Sequence, residues 1–310
     1  MTVHKTLLEA ANYDLDSTLG SGQSFRWRKR GEVWEGVVGV RAVRLSQARN
    51  GVLAETRQDP GDWEWLRFLL QTGVAIDAIE ESFPRDPWIA KSVVACRGLR
   101  LLRQDPWECL AGFILSANKQ IRQIEQIVEA LCLHHGGEAL EAPWGGAERP
   151  RVFPTARAIS QCSELELRAC KMGFRAPNLR KTAEMVASGR LDLEAVGRAP
   201  LDRARELLQT APGIGPKIAD CVLLYGYGAP MAFPLDVWMR RVLRVCYFRG
   251  KDVPDAELSA FISSYFGPHP GYAQQYLFHF ARTSGREELR ALEATQVTTR
   301  KAPRAERKRR

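Results

Sequence analysis

Between positions 24 and 57, apolar residues cluster in short runs rich in Val, Trp and Phe: SFRW, VWEGVVG, RAVRLSQ and GVLAET, separated by the polar RKRGE and ARNG. Short β-forming runs interrupted by turn residues predict an antiparallel meander. From Asp62 the period lengthens to that of a helix. DWEWLRFLLQT and AIDAIEESF are helical by pattern, and ECLAGFILSANKQIRQIEQIVEALCLHHGG reads as one helical stretch whose Ile114, Ile121, Ile124, Ile127, Val128 and Leu131 share a face. Gly and Pro content marks residues 136–150 as a loop. Further helices are predicted at ARAISQC, ELELRACKM, NLRKTAEMVASG, LDRARELLQ, the segment opening at Lys217, VWMRRVLRVCY, DAELSAFISSYF and GYAQQYLFHFART. A β-containing region therefore precedes a mainly helical one, an α+β chain without internal repeats.

With 310 residues and 45% hydrophobic content the chain can bury a sizeable core, and two domains are expected. The net charge of +9 suggests a polyanionic partner, but residues 300–310 hold seven basic residues against one Glu, six of the nine net charges. The rest of the chain is only mildly basic. No apolar run has signal-peptide or membrane-spanning length, so an intracellular protein without a membrane is expected. Seven cysteines without a CxxC pair indicate neither a disulfide framework nor a zinc ribbon.

The strongest local signal is LLQTAPGIGPKIADCVLLYG, residues 207–226, where two helical patterns flank Pro-Gly-Ile-Gly-Pro. Gly213 and Gly215 can carry the chain through a tight turn, and Pro216 suits the first position of the next helix. Such a turn leaves backbone N–H groups pointing outward from a helix start, a seat for a phosphate oxygen that does not depend on base sequence. Lys217 follows directly. An amine is a nucleophile only without its proton, and a position beside Ile214, Ile218 and a helix N-terminus favours the neutral form. Asp236, in AFPLDVW, can stabilise positive charge developing on a sugar; it also reads as a helix N-cap.

This PGIGPK hairpin with a later Asp resembles the helix-hairpin-helix DNA glycosylase superfamily, in whose bifunctional members a Lys at the position of Lys217 attacks C1′ of the damaged nucleotide. The stretch SGQSFRW, residues 21–27, resembles the 8-oxoguanine DNA glycosylase branch. That likeness implies a TATA-binding-protein-like β-rich domain (1–104) and a helical glycosylase domain (105–290); the charge of the terminal residues marks a basic disordered tail (291–310). It implies that Gly22 offers its carbonyl to the N7–H that oxidised guanine alone possesses, since guanine itself presents a lone pair there.

Other stretches agree with the resemblance. Gln274 and Phe278 in GYAQQYLFHF stand where the family binds the base edge and stacks on its face, and Cys221, one turn beyond Lys217, stands where the base is sandwiched. Asn118 matches the residue that fills the space left by the flipped nucleotide, while Phe174 and Arg175 match a wedge and a basic partner for the estranged base. Each also has a plain reading as core, cap or solvated polar residue. Two positions depart from the pattern. Trp238 stands where relatives place a phosphate-contacting His, and Gln123 where they place an Arg that reads the opposite cytosine, with Arg122 next to it as a possible replacement.

The resemblance implies a base-flipping glycosylase with a Schiff-base lyase step, acting as a monomer on duplex DNA containing oxidised guanine, with no cofactor and no catalytic metal. The rivals are an endonuclease III type enzyme, which would carry four C-terminal cysteines, an alkylated-base glycosylase, which generally lacks the Lys, and a non-enzymatic DNA-binding hairpin protein.

Overall fold

The computed structural model describes residues 2–139 and 150–301; most of the predicted 136–150 loop and the last nine residues lie outside the described residues. The meander forms a five-stranded antiparallel sheet of order β1-β5-β4-β3-β2, from β1 (His4–Glu9), β2 (Arg28–Arg30), β3 (Val33–Val38), β4 (Arg41–Ala48) and β5 (Gly51–Thr56). Register pairs Trp34 with Leu45, Leu45 with Ala54 and Leu8 with Val52, so one face of the pleat buries all five side chains. Two strand predictions change. SFRW is not a strand, the pairing beginning instead at Arg28 within the predicted turn; and HKTLLE adds β1 at the edge, where Leu7 is 40% exposed and only Leu8 is buried.

Helix α1 (Leu15–Gly20) leads into the Gly22 turn, which is bolted down from inside. Gln23 is fully buried, donates to the carbonyls of Thr18 and Arg100 at 2.8 Å each, and accepts from the Leu102 amide at 2.8 Å. Arg100, 1% exposed, donates to the carbonyls of Ala11, Asn12 and Gly98 at 2.9, 3.1 and 2.9 Å and lies over the Tyr13 ring. Buried carbonyls without a donor are costly, so Arg100→Met should lower stability by about 3 kcal/mol or more, read as a shift in urea midpoint.

Helices α2 (Glu64–Leu70), α3 (Ile76–Glu81) and α4 (Pro87–Cys96) follow, then the helical body: α5 (Pro106–Ser116), α6 (Ile121–His135), α7 (Ala156–Gln161), α8 (Glu164–Ala169), a 3-10 turn (Gly173–Arg175), α9 (Ala176–Ala187), α10 (Leu193–Arg198), α11 (Leu201–Gln209), α12 (Pro216–Tyr225), α13 (Val237–Cys246), α14 (Asp255–Tyr265), α15 (Pro270–Arg282) and α16 (Arg286–Lys301). Residues 109–116 of α5 and 218–225 of α12 are buried on all sides, so these two helices form the centre of the body. Ile76, Phe83, Ile89, Cys96, Leu99 and Leu101 join that same core, while the sheet has a smaller core of its own. A division at residue 104 therefore follows the chain rather than the packing.

The long stretch from Cys109 to Gly136 is two helices. Residues 117–120 break it, with Asn118 in the left-handed region at φ +54°, although the apolar face runs on either side. The segment from 291 on, expected as disordered tail, is helical to Lys301: Leu289 is buried, and Glu293 accepts from Arg241 at 2.5 Å and from Arg244. No described helix is long and apolar enough to cross a membrane.

Candidate active site

α11 and α12 form the hairpin. Gly213 turns it at φ +78°, and a Cβ there would come within 2.4 Å of the Asn178 side-chain amide on α9, so only glycine fits this close approach. Gly215 is exposed, with open space beside it, and α12 begins at Pro216 without a side-chain cap, leaving its first amides free for an anion.

Lys217 stands in the first turn of α12, half-buried. Its Nζ donates to Ser116 Oγ at 3.3 Å and lies 5.3 Å from the Phe113 ring centre. Ser116, the last residue of α5, in turn donates to the Phe113 carbonyl at 2.7 Å, so the central helix pair holds the amine. Cys221 is buried one turn on; burial pushes its thiol up to about 12, against the pull of the Lys217 charge. The thiol therefore stays protonated near neutral pH and is an apolar wall rather than a rival nucleophile. Asp236 caps α13, accepting from the Met239 amide at 2.7 Å, and is half-buried.

Lys217, Cys221, Asp236, Gly22, Asn118, Gln274 and Phe278 all line one cleft of about 770 Å³ between the Gly22 turn and the helical body. Residues more than 250 positions apart in sequence, Gly22 and Phe278, thus converge. Gly22 is at φ +84°, and a Cβ on it would come within 2.2 Å of Ile121 Cδ1, so the turn is moulded against the start of α6. Gln274 is 3% exposed, and its Oε1 has no hydrogen-bond partner. An unpaired buried amide oxygen costs about 1–3 kcal/mol, so Gln274→Leu should stabilise the free protein by about 1 kcal/mol while weakening lesion recognition. Urea unfolding and lesion-duplex binding, measured side by side, check both halves.

Two expected contacts are not arranged as the resemblance implies. Phe174 is 59% exposed, as a wedge must be, but Arg175 is 3% exposed and turned inward. It donates to the carbonyls of Met172 and Ala117 and lies 4.3 Å from the Phe174 ring centre, so it braces Phe174 and the Asn118 loop instead of reaching outward. Arg122 is exposed and does not line the cleft, whereas Gln123 closes a capping box, its Oε1 accepting from the Gln120 amide at 3.1 Å. Gln123 lines the cleft, but its amide carries no charge there.

Sequence reasoning missed Ser116, Asn178 and Arg282. Nothing in sequence pairs 116 with 217 or 178 with 213, but Arg282 stands one turn beyond Phe278, and that spacing could have marked it. Trp238 lines the cleft, with Arg241 stacked 5.4 Å from its ring centre. Among the described residues, no group of three His, Cys, Asp or Glu side chains could hold a metal ion.

Residues 5–110 match the family model of the 8-oxoguanine DNA glycosylase N-terminal domain, and residues 111–267 that of the HhH-GPD superfamily base excision DNA repair proteins. A probable N-glycosylase/DNA lyase of Methanothermobacter thermautotrophicus is 32% identical over 66% of this chain and 70% of its own length. The N-glycosylase/DNA lyase OGG1 of Arabidopsis thaliana is 30% identical over 85% of this chain and 76% of its own. The solved structure of the Clostridium acetobutylicum 8-oxoguanine glycosylase/lyase, in complex with duplex DNA carrying cytosine opposite 8-oxoguanine, superposes with a TM-score of 0.83 at 27% identity, covering 92% of this chain and 99% of that one.

Proposed function

Because the chain belongs to the HhH-GPD superfamily of base excision DNA repair proteins and carries the 8-oxoguanine DNA glycosylase N-terminal domain, we propose that it excises 8-oxoguanine from duplex DNA and then cleaves the abasic strand. The site residues have the following roles in this reading. Outward amides at Gly213, Gly215 and the start of α12 anchor a backbone phosphate. Phe174 wedges the duplex, and Asn118 fills the gap left when the lesion is turned out of the stack. The flipped base lies between Phe278 and Cys221. The Gly22 carbonyl accepts its N7–H, and Gln274 Oε1 accepts from the N–H donors of its Watson–Crick edge.

The C1′–N9 bond then breaks, its electron pair leaving with the base, while Asp236 stabilises the positive charge that develops on the sugar. Lys217 Nζ, having given up a proton to solvent, bonds to C1′, and opening of the sugar ring gives a protonated Schiff base. Removal of a C2′ proton expels the 3′ phosphate by β-elimination. Acting on duplex DNA, the enzyme works inside the cell.

The observation that carries this reading is the buried, unpaired Gln274 Oε1 on the wall of the cleft that also holds Lys217 and Asp236. The test is an excision assay on 8-oxoguanine, formamidopyrimidine and uracil duplexes, each against all four opposite bases. 8-Oxoguanine should be removed and uracil left intact. Since a good base-reading contact is worth about 1–3 kcal/mol, Gln123 stands at the arginine position and Arg175 is turned inward, cytosine should be preferred over the other opposite bases by less than about tenfold. Comparable uracil release would overturn the substrate assignment.

A further inference from the structure

The cleft-facing side of α15 continues past Phe278. Gln274, Phe278 and Arg282 stand four residues apart and so project from one side of the helix, with Arg282 its last residue. The Arg282 guanidinium carbon lies 5.0 Å from the Phe278 ring centre. A Cβ on Gly22 would come within 3.3 Å of Arg282 Nη1. The cation thus fills the corner where the stacking ring meets the glycine turn. Phe278 and Gly22 line the cleft, and Arg282 stands beside both without lining it.

This guanidinium has no hydrogen-bond or ion-pair partner among the described residues. Burial makes its charge harder to keep, and the Asp236 carboxylate is the anion that opposes this effect. A partly desolvated, unpaired cation is costly, and a cation–π contact returns only part of the cost. The residue is therefore set to gain from any negative charge that arrives beside it. The surface arginines of α8 and α10 differ in this respect: Arg168 and Arg198 are tied to Glu164 and Glu194 within their own helices.

Base release supplies such a charge. As C1′–N9 breaks and Lys217 Nζ bonds to C1′, the electron pair stays on the purine, which departs as an anion until water protonates it. We infer that Arg282, acting from beside Phe278 and Gly22, is a positioning residue whose charge stabilises the oxidised purine as it leaves. With Asp236 on the sugar side, the cleft is then polarised along the breaking bond, carboxylate towards the developing cation and guanidinium towards the developing anion. The inference rests on the base seat described above. A DNA phosphate is the other anion that could draw this cation, and a substrate with phosphates but no base separates the two.

The experiment compares wild type, Arg282→Met, which keeps length and apolar stem, and Arg282→Lys, which keeps the charge. Each is assayed under single-turnover conditions on an 8-oxoguanine duplex and on the same duplex with a preformed abasic site. The ratio of base excision to abasic-site cleavage should fall about tenfold or more in Arg282→Met and return to within about threefold of wild type in Arg282→Lys. A parallel fall of both activities would assign Arg282 to phosphate binding or to packing and overturn the inference. So would an unchanged ratio in Arg282→Met, or a lysine variant as impaired as the methionine one. A wild-type enzyme that cleaves abasic sites and leaves 8-oxoguanine untouched would instead remove the substrate assignment.

Discussion

Lys217→Gln should abolish the coupled excision and strand cleavage of 8-oxoguanine duplexes, by at least about a thousandfold, because the bond-forming amine is gone. The fold should survive the change. Lys217 is half-buried in the first turn of α12, glutamine has nearly the same helix propensity, and Ser116 keeps its bond to the Phe113 carbonyl. Binding of lesion duplex should persist, since the phosphate seat at Gly213 and Gly215 is backbone and Gln274, Phe278 and Cys221 are untouched. Retained cleavage in this variant would move the nucleophile elsewhere. The cleft offers one other lysine for that role, Lys119 in the loop between α5 and α6.

Asp236→Asn should slow base release about a hundredfold or more, the usual effect of removing a group aimed at charge developing in the transition state. Asparagine is as good an N-cap as aspartate, so the bond to the Met239 amide and the stability of α13 should be nearly unchanged. Duplex binding should hold or tighten slightly, because a negative charge facing DNA is removed. Unchanged single-turnover excision, with an unchanged melting temperature, would leave Asp236 with its capping role alone.

Much of this site was legible because its chemistry lies in local phrases. The hairpin from Pro212 to Lys217, the Asp236 cap and the spacing of Gln274 and Phe278 each state their geometry within a turn or two of helix. The cleft then brings Gly22, Cys221, Gln274 and Phe278 together, although they come from opposite ends of the chain. What stayed hidden depends on contacts between distant segments. The break at residues 117–120 left no mark on the 3.6-residue period, since the apolar face resumes beyond it; Asn118 at positive φ and the Arg175 grip on the Ala117 carbonyl make the break. By the same logic a buried Arg100 or an inward Arg175 looks in sequence like any surface arginine, until the carbonyls that satisfy it are brought up by packing. α16 was hidden by its charge, as its polar sequence reads as tail until Glu293 meets Arg241 and Arg244.

One bond decides the proposed mechanism, that between Lys217 Nζ and C1′ of the lesion nucleotide. Borohydride reduction during turnover on an 8-oxoguanine duplex, followed by proteolysis and mass spectrometry of the trapped complex, locates it directly. The sugar remnant should be found on the peptide containing Lys217 and nowhere else. Its attachment to Lys119, to the N-terminal amine or to no residue at all would contradict the account.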